Sequence, residues 1–493
     1  MLMALSWSVG WSASLGSPEA AGATEADPIA GAVCSSVEET PQSLQLVEAV
    51  RQSLSEQPQL IIAQQDLVQS RSDVVAAVAP FLPSASLSLI EERYVPENGA
   101  GPVIVVGNNV LGGPETRSGY GSLDMTWNIM NSGRDIAGLR SARAAARAAS
   151  SGLDNQLADT LSGVLQAYAE LYEAEVDAGN AGSSAELLQQ IYARAQERYR
   201  NGNGTTVAIG QARVAALDAE QSLNKACRGV SEKAAALAES AGMRLPAQQR
   251  LHVTQRLPMP LVDPADLDRL AEIVENTPAV IEAKEKVASA TAKFQQAKRS
   301  FGPSVTFSAR KDYLGQSIDS YGAANHHIAP SDYRIYLGFE QPLFPLATEV
   351  AAVDKARAEL RKAQASYDQA RLDAQTKLHN ALSARREAEA SFLAAKASLG
   401  QSQQVLELTQ SVYHAGRTDL DSVQHAQMDR DKAMADTRTL ASRRASAEWA
   451  VARALQPERF AESVFARLHL QVDAQRWREG GDTGQASAGR SGE

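Results

Sequence analysis

The sequence predicts a mainly helical protein written as two copies of one unit, and three observations carry that prediction. Two stretches, from about residue 133 to 200 and from about 347 to 413, run without proline, and in the first apolar residues recur at three- and four-residue steps. Two near-identical phrases, "FLPSASLSL" at 81–89 and "FGPSVTFSA" at 301–309, each open a run of apolar–polar alternation, the period of a β-strand. The composition is 44% hydrophobic but only 5% aromatic, with a mean hydropathy of -0.27, which suits long amphipathic helices better than thick aromatic cores.

The repeat begins upstream of the phrases. A shift of 220 residues carries Phe81 onto Phe301 and aligns Pro58 with Pro278, Ile61 with Ile281, Ala63 with Ala283, Pro83 with Pro303 and Ser84 with Ser304. Downstream, "SARAAARAASSGLDNQLAD" (141–159) meets "KARAELRKAQASYDQARLD" (355–373) at a shift of 214, which brings Arg143 onto Arg357 and Arg147 onto Arg361. The six-residue difference falls in the connections 96–119 and 313–331, because surface loops absorb length changes at little cost. The same 214 shift pairs Tyr199 with Tyr413 and Gly202 with Gly416. Each half therefore reads helix, strand, loop, strand, long helix, turn, long helix.

The strands follow from alternation. Ala85, Leu87 and Leu89 alternate with Ser84, Ser86 and Ser88, and Val305, Phe307 and Ala309 with Ser304, Thr306 and Ser308. The return strands alternate through Leu123, Met125, Trp127 and Ile129, and through Tyr333, Ile335, Leu337 and Phe339. Such segments approach the 9 to 11 residues of a tilted transmembrane strand, although a small sheet lying on helices in a soluble protein reads the same way. No apolar run of about 18 residues exists for a membrane-spanning helix.

The long helices need neighbours. Leu153, Leu157, Leu161, Val164, Tyr168 and Leu171 make one stripe, and a rod of that length extends about 100 Å, too far to bury its stripe in a compact globule. Further helices are expected at about 206–242 and 420–456, after each glycine turn. The chain divides into a secretory signal or its remnant (1–26), repeats at 42–246 and 265–460, a linker "LPMPLVDP" within 247–264, and a tail (461–493) whose end is expected to be disordered.

Charge and motifs narrow the function. A net charge of -10 and a pI near 5.4 argue against nucleic acid as a partner. No P-loop, G-x-S-x-G, H-E-x-x-H or C-x-x-C pattern occurs, so no enzyme, cofactor or metal site is expected, and the pair His326-His327 reads as solvent-exposed loop. Cys34 follows Val33 rather than the small residue of a lipoprotein signal, so no lipid anchor is read there. An unpaired, buried Cys227 on a helix is the reading adopted; a Cys34–Cys227 disulfide in an oxidising compartment is the alternative.

The twofold repeat, the Pro-Ser strand starts, "QPLF" at 341–344 and the Tyr199/Gly202 and Tyr413/Gly416 turns resemble the TolC family of outer-membrane efflux ducts, over roughly residues 42–460. That resemblance implies a homotrimer in which four strands per chain close a 12-stranded β-barrel in the outer membrane, continued by a long α-helical barrel across the periplasm. It implies docking, at the hairpin tips, of a periplasmic adaptor (membrane fusion protein) and an inner-membrane ABC transporter or other pump. Without a lipoprotein cysteine, the chain looks more like the branch serving type I secretion of adenylate cyclase–haemolysin toxin than the drug-efflux branch. The alternatives are a multidrug or small-molecule efflux duct and a non-channel periplasmic coiled-coil adaptor.

Pro83, Ser84, Pro303 and Ser304 would then mark helix-to-strand corners, since Pro cannot donate the next helical hydrogen bond. Relatives often carry aspartates six and nine positions after the second tip glycine; here Ser422 and His425 stand there, and Ala208 replaces an acid at the first tip. Asp419 and Asp421 remain as gate candidates, with Arg417 as a partner, against the reading that they simply cap a helix.

Overall fold

A computed structural model of the chain describes residues 34, 40–94, 104–106, 109–111, 116–246, 249–253, 255–260, 274–317, 333–343, 347–415, 417–455, 459–468 and 470. The expected signal segment, the pair His326-His327 and tip residue Gly416 lie outside the described residues. After β1 (Thr40–Ser43), the first half runs α1 (Leu46–Glu56), α2 (Pro58–Val78), β2 (Ser84–Tyr94), a short pair β3 (Ile104–Val106) and β4 (Asn109–Leu111), and β5 (Thr116–Asn131). Helices α3 (Arg134–Arg200) and α4 (Thr206–Ser240) complete it. After β6 (Gln249–His252), the second half runs α5 (Pro278–Lys298), β7 (Ser304–Ser317), β8 (Tyr333–Glu340), α6 (Ala347–His414) and α7 (Leu420–Leu455), and α8 (Phe460–Arg467) follows.

Proline-free, alanine-rich sequence lets α3 reach 67 residues and α6 68, each about 100 Å. Helix α3 is central, packed against α2, α4, α5 and α7, whereas α6 lies against α5 and α7. The stripe read from the sequence is the core: Leu153, Leu161, Val164, Tyr168 and Leu171 are each at most 1% exposed. They join Leu44, Val50, Leu60, Val230, Leu237 and the α8 side chains Phe460 and Val464 in one apolar cluster part-way along α3.

Three details depart from the sequence reading. Cys34 and Cys227 form a disulfide, so the expectation of an unpaired, buried Cys227 is overturned: Cys227 is half-buried on α4 and meets Cys34 there. Segment 247–264, expected as a plain linker, contains β6, which pairs in parallel with β1, and it buries Leu251, Val253 and Leu257 in the main core. The start of the tail is helix α8, seated in that core by its aromatic side chains.

The four long strands form one antiparallel sheet in the order β2-β5-β7-β8. Its register sorts the side chains into two faces, with rows such as Ala85–Met125–Ala309–Ile335 and Trp127–Phe307–Leu337 on one and Ser84–Thr126–Ser308–Tyr336 on the other. Much of the apolar face is open to solvent in the single chain: Leu87, Leu89, Ile335, Leu337 and Phe339 are all more than 60% exposed.

Candidate functional site

The corners fix how sheet meets helix. Helix α2 tightens into a 3-10 turn at Ala79–Phe81, Leu82 turns extended, and β2 starts at Ser84, directly after Pro83. Ser84 Oγ donates to the Thr126 carbonyl at 3.1 Å, and Trp127 Nε1 donates to the Phe81 carbonyl at 3.1 Å. At the second corner the equivalent carbonyl, that of Phe301, accepts from Gln341 Nε2 at 3.0 Å. Ser132 Oγ donates to the Pro303 carbonyl at 2.7 Å, next to the start of β7 at Ser304. A Cβ on Gly302 would lie 2.1 Å from that Ser132 Oγ, so the second corner requires glycine where the first holds Leu82.

At the other end of the long helices stand the two hairpin tips. Gly202, at φ +78°, ends α3: its N–H donates to the Tyr199 carbonyl at 3.0 Å, and the Asn203 N–H donates to the Arg198 carbonyl at 2.9 Å. Thr205 then caps α4, its Oγ1 accepting from the Ala208 N–H at 3.2 Å. In the second tip the Arg417 N–H closes on the Val412 carbonyl at 3.1 Å. Asp419 Oδ1 accepts from the Ser422 N–H at 3.0 Å and from Ser422 Oγ at 2.6 Å, a capping arrangement. Those hydrogen bonds from Ser422 hold the Asp419 carboxyl below the ordinary aspartate value.

Asp421 does something different. Its Oδ2 accepts from Arg198 at 3.1 Å, joining the end of α3 to the start of α7 and so one hairpin tip to the other. Other acid–base contacts along the α3–α7 seam include Glu173–Arg443 at 3.0 Å and Asp159–Arg453. Burial raises the Glu173 carboxyl above its ordinary value despite Arg443, whereas the tip pair is 53% and 32% exposed at its side chains. Tyr199, Tyr413, Arg417 and His425 are exposed at the tips, and the Tyr413 ring lies 5.9 Å from that of His414.

Arg198 is the tip residue that sequence reasoning missed. Its 214-shift counterpart is Val412, so the repeat gives no hint of it, and a basic residue in the last turn of a helix reads as ordinary dipole compensation. The one available signal is the matching acid, Asp421, in the first turn of α7. Among the described residues no helix is long and apolar enough to cross a membrane, and no group of three His, Cys, Asp or Glu could hold a metal ion.

The fold is that of outer-membrane channel proteins. It superposes on the CmeC outer membrane channel of Campylobacter jejuni with a TM-score of 0.69 at 16% identity, covering 94% of this chain and 99% of that one. VceC of Vibrio cholerae gives 0.66 at 18% identity over 83% and 96%, and the open state of the Neisseria gonorrhoeae MtrE outer membrane channel gives 0.63 at 18% over 83% and 88%. A family model described as outer membrane efflux protein matches residues 49–243 and 270–455, and the chain belongs to that family. Protein CyaE of Bordetella pertussis is 26% identical over 337 residues, 67% of this chain and 66% of that relative's length.

Proposed function

We propose that three copies of this chain close into one tube, a 12-stranded barrel in the outer membrane continued by a helical barrel through the periplasm, and that the tube is a passive exit duct. The observation that carries it is the sheet itself. Both edge strands, β2 and β8, have one side without a strand partner among the described residues, and the apolar face is exposed. In lipid an open edge leaves backbone groups unsatisfied, so four strands cannot remain alone. The helices repeat the argument, with α2 and α4 at one edge and α6 at the other, and unlike edges that meet generate a ring.

The energy for transport comes from partners, an inner-membrane ABC transporter or other pump and a periplasmic adaptor docking at the hairpin tips. The Arg198–Asp421 pair is the latch between the tips. An exposed pair is worth about 0.2–1 kcal/mol, so three symmetry copies total roughly 1–3 kcal/mol, weak enough for a docking partner to open. Asp419 is a cap rather than a pore acid in this reading. The similarity to CyaE supports a duct for protein toxin secretion; the family description supports small-molecule efflux as the second reading.

The test is reconstitution of purified protein in a planar bilayer, with its mass measured in detergent. A trimer is expected with a small, infrequently open conductance that Arg198→Ala raises severalfold. A soluble, non-conducting monomer would refute the duct. Deleting the protein from its cell and asking whether a secreted protein or a small molecule is retained separates the two cargo readings.

A further inference from the structure

The polar face of the sheet is not uniform. Two successive rows, Ser84–Thr126–Ser308–Tyr336 and Asn128–Thr306–Gly338, carry only hydroxyl and amide groups and one glycine. The next row away from the helices reads Ser86–Asp124–Arg310–Arg334, and the one after it Ser88–Ser122–Asp312. Four formal charges are thus gathered in two adjacent rows. Arg310 Nε lies 2.6 Å from Asp312 Oδ1 and 3.5 Å from Asp124 Oδ1, and an Arg334 guanidinium nitrogen lies 3.3 Å from Asp312 Oδ2.

The charges are equal in number but not in presentation. The Asp312 side chain is 13% exposed beneath both arginines, and Asp124 and Arg310 are matched at 34% and 33%, whereas Arg334, on edge strand β8, is 59% exposed. Asp312 therefore faces its partners, and the outer arginine is the most open charge of the four. At the opposite edge of the sheet, β2 offers serines on the same face: Ser84, Ser86 and Ser88.

We propose that Asp124, Arg310, Asp312 and Arg334 form the ion-selectivity belt of the conduit, with Arg334 as the cation that passing solutes meet and anions the favoured class. This rests on the duct reading, which turns the polar face inward. Twelve strands about 4.8 Å apart and tilted by about 40° close at a backbone radius of about 12 Å. That is close to the Debye length of about 10 Å at 0.1 M salt and well beyond the 3 Å at 1 M. Three arginines therefore bias the whole lumen in dilute salt and almost none of it in concentrated salt.

The experiment is the reversal potential of the reconstituted full-length trimer under a KCl gradient, with the dilute side, 0.1 M or below, facing the barrel. Arg334→Gln is expected to lower the chloride-to-potassium permeability ratio by roughly twofold, an effect that vanishes when the dilute side is raised to about 1 M with the other side kept more concentrated still. Arg334→Lys keeps the wild-type ratio. Lys311→Gln, an equal charge change on the opposite face of the same sheet in the row Leu87–Leu123–Lys311–Tyr333, leaves the ratio unchanged. Should Arg334→Gln fail to assemble, Ser86→Asp places an acid in the belt row on the exposed strand β2 and lowers the ratio in the same direction. A conducting channel whose ratio ignores Arg334→Gln and Ser86→Asp, or answers equally to Lys311→Gln, overturns the belt and leaves the duct standing. Wild-type protein that never conducts removes the duct, and the belt with it.

Discussion

Helices α3 and α6 have nearly the same length and align at the 214-residue shift, yet the chain treats them differently. Twenty residues of α3 are buried and three of α6. The α3 stripe Leu153, Leu157, Leu161, Val164, Tyr168 and Leu171 becomes Tyr367, Arg371, Gln375, Leu378, Leu382 and Arg385 in α6. Polar contacts hold α6 where α3 has core: Tyr367 and Arg371 both reach Glu275, at 3.0 and 2.7 Å, and Arg385 reaches Glu448 at 2.8 Å. Meanwhile Leu372, Leu393, Val405 and Leu408 on α6 are more than 50% exposed. Of two rods of nearly equal length, one is the centre of the chain's own core and the other lies at its edge, with apolar side chains left open.

The largest expected effect separates those two roles. Leu161→Asp puts a charge where exposure is 0%, with no partner to repay its desolvation, and folded protein is expected to be lost, as seen in circular dichroism and proteolysis. Leu408→Asp, at 66% exposure, is expected to leave the helical signal intact while the trimer dissociates, as read by mass in detergent. If Leu408→Asp unfolds the chain as Leu161→Asp does, the α6 stripe is covered from within and the contrast fails.

A smaller effect tests the shorter helices. Six of the 35 residues of α4 are buried, against fourteen of the 36 of α7, so α4 is the less anchored rod. It is also the one held by a disulfide, between residues 193 apart in sequence. Cys34→Ser is expected to cost about 2–5 kcal/mol, seen as a lower thermal midpoint and faster hydrogen exchange in α4 with α7 little changed. Equal loss of protection in both helices would show that the disulfide steadies the whole chain rather than its weaker edge.

What the sequence made legible follows the same division. Periodicity located α3, the proline-free stretch at the repeat shift located α6, and the glycine turns placed α4 and α7 after them. Alternation found the strands but undercounted β5, which continues to Thr116 through "RSGYG", where glycines blur the two-residue period. The sequence offered the disulfide only as the alternative to an unpaired Cys227, and the β1–β6 pair not at all, since each joins segments about 200 residues apart through a packing that no local pattern encodes. Arg198–Asp421 was hidden for the same reason, and Asp419 was legible as a cap from local spacing alone.

The smallest effect is a pH dependence confined to the first half. Glu175, 2% exposed in the middle of α3, accepts from the Val253 N–H at 3.3 Å and bonds His252 Nδ1 at 2.9 Å, tying α3 to β6. The hydrogen bond to Glu175 raises the His252 imidazole above its ordinary value, although burial and Arg250 oppose it. A proton held more tightly in the folded chain stabilises it fully below the unfolded value of about 6.5, and that contribution disappears as pH rises through the elevated folded value. The thermal midpoint is therefore expected to fall by about 1 °C from pH 6 to 8, with faster exchange in β6, and His252→Gln flattens the slope. The corresponding ties of α6 use Tyr367, Arg371 and Arg385 and no imidazole. Exchange at Val274–Glu275 and along α6 should therefore stay level from pH 6 to 8, and a matching slope there would mean that the two halves share one titrating support.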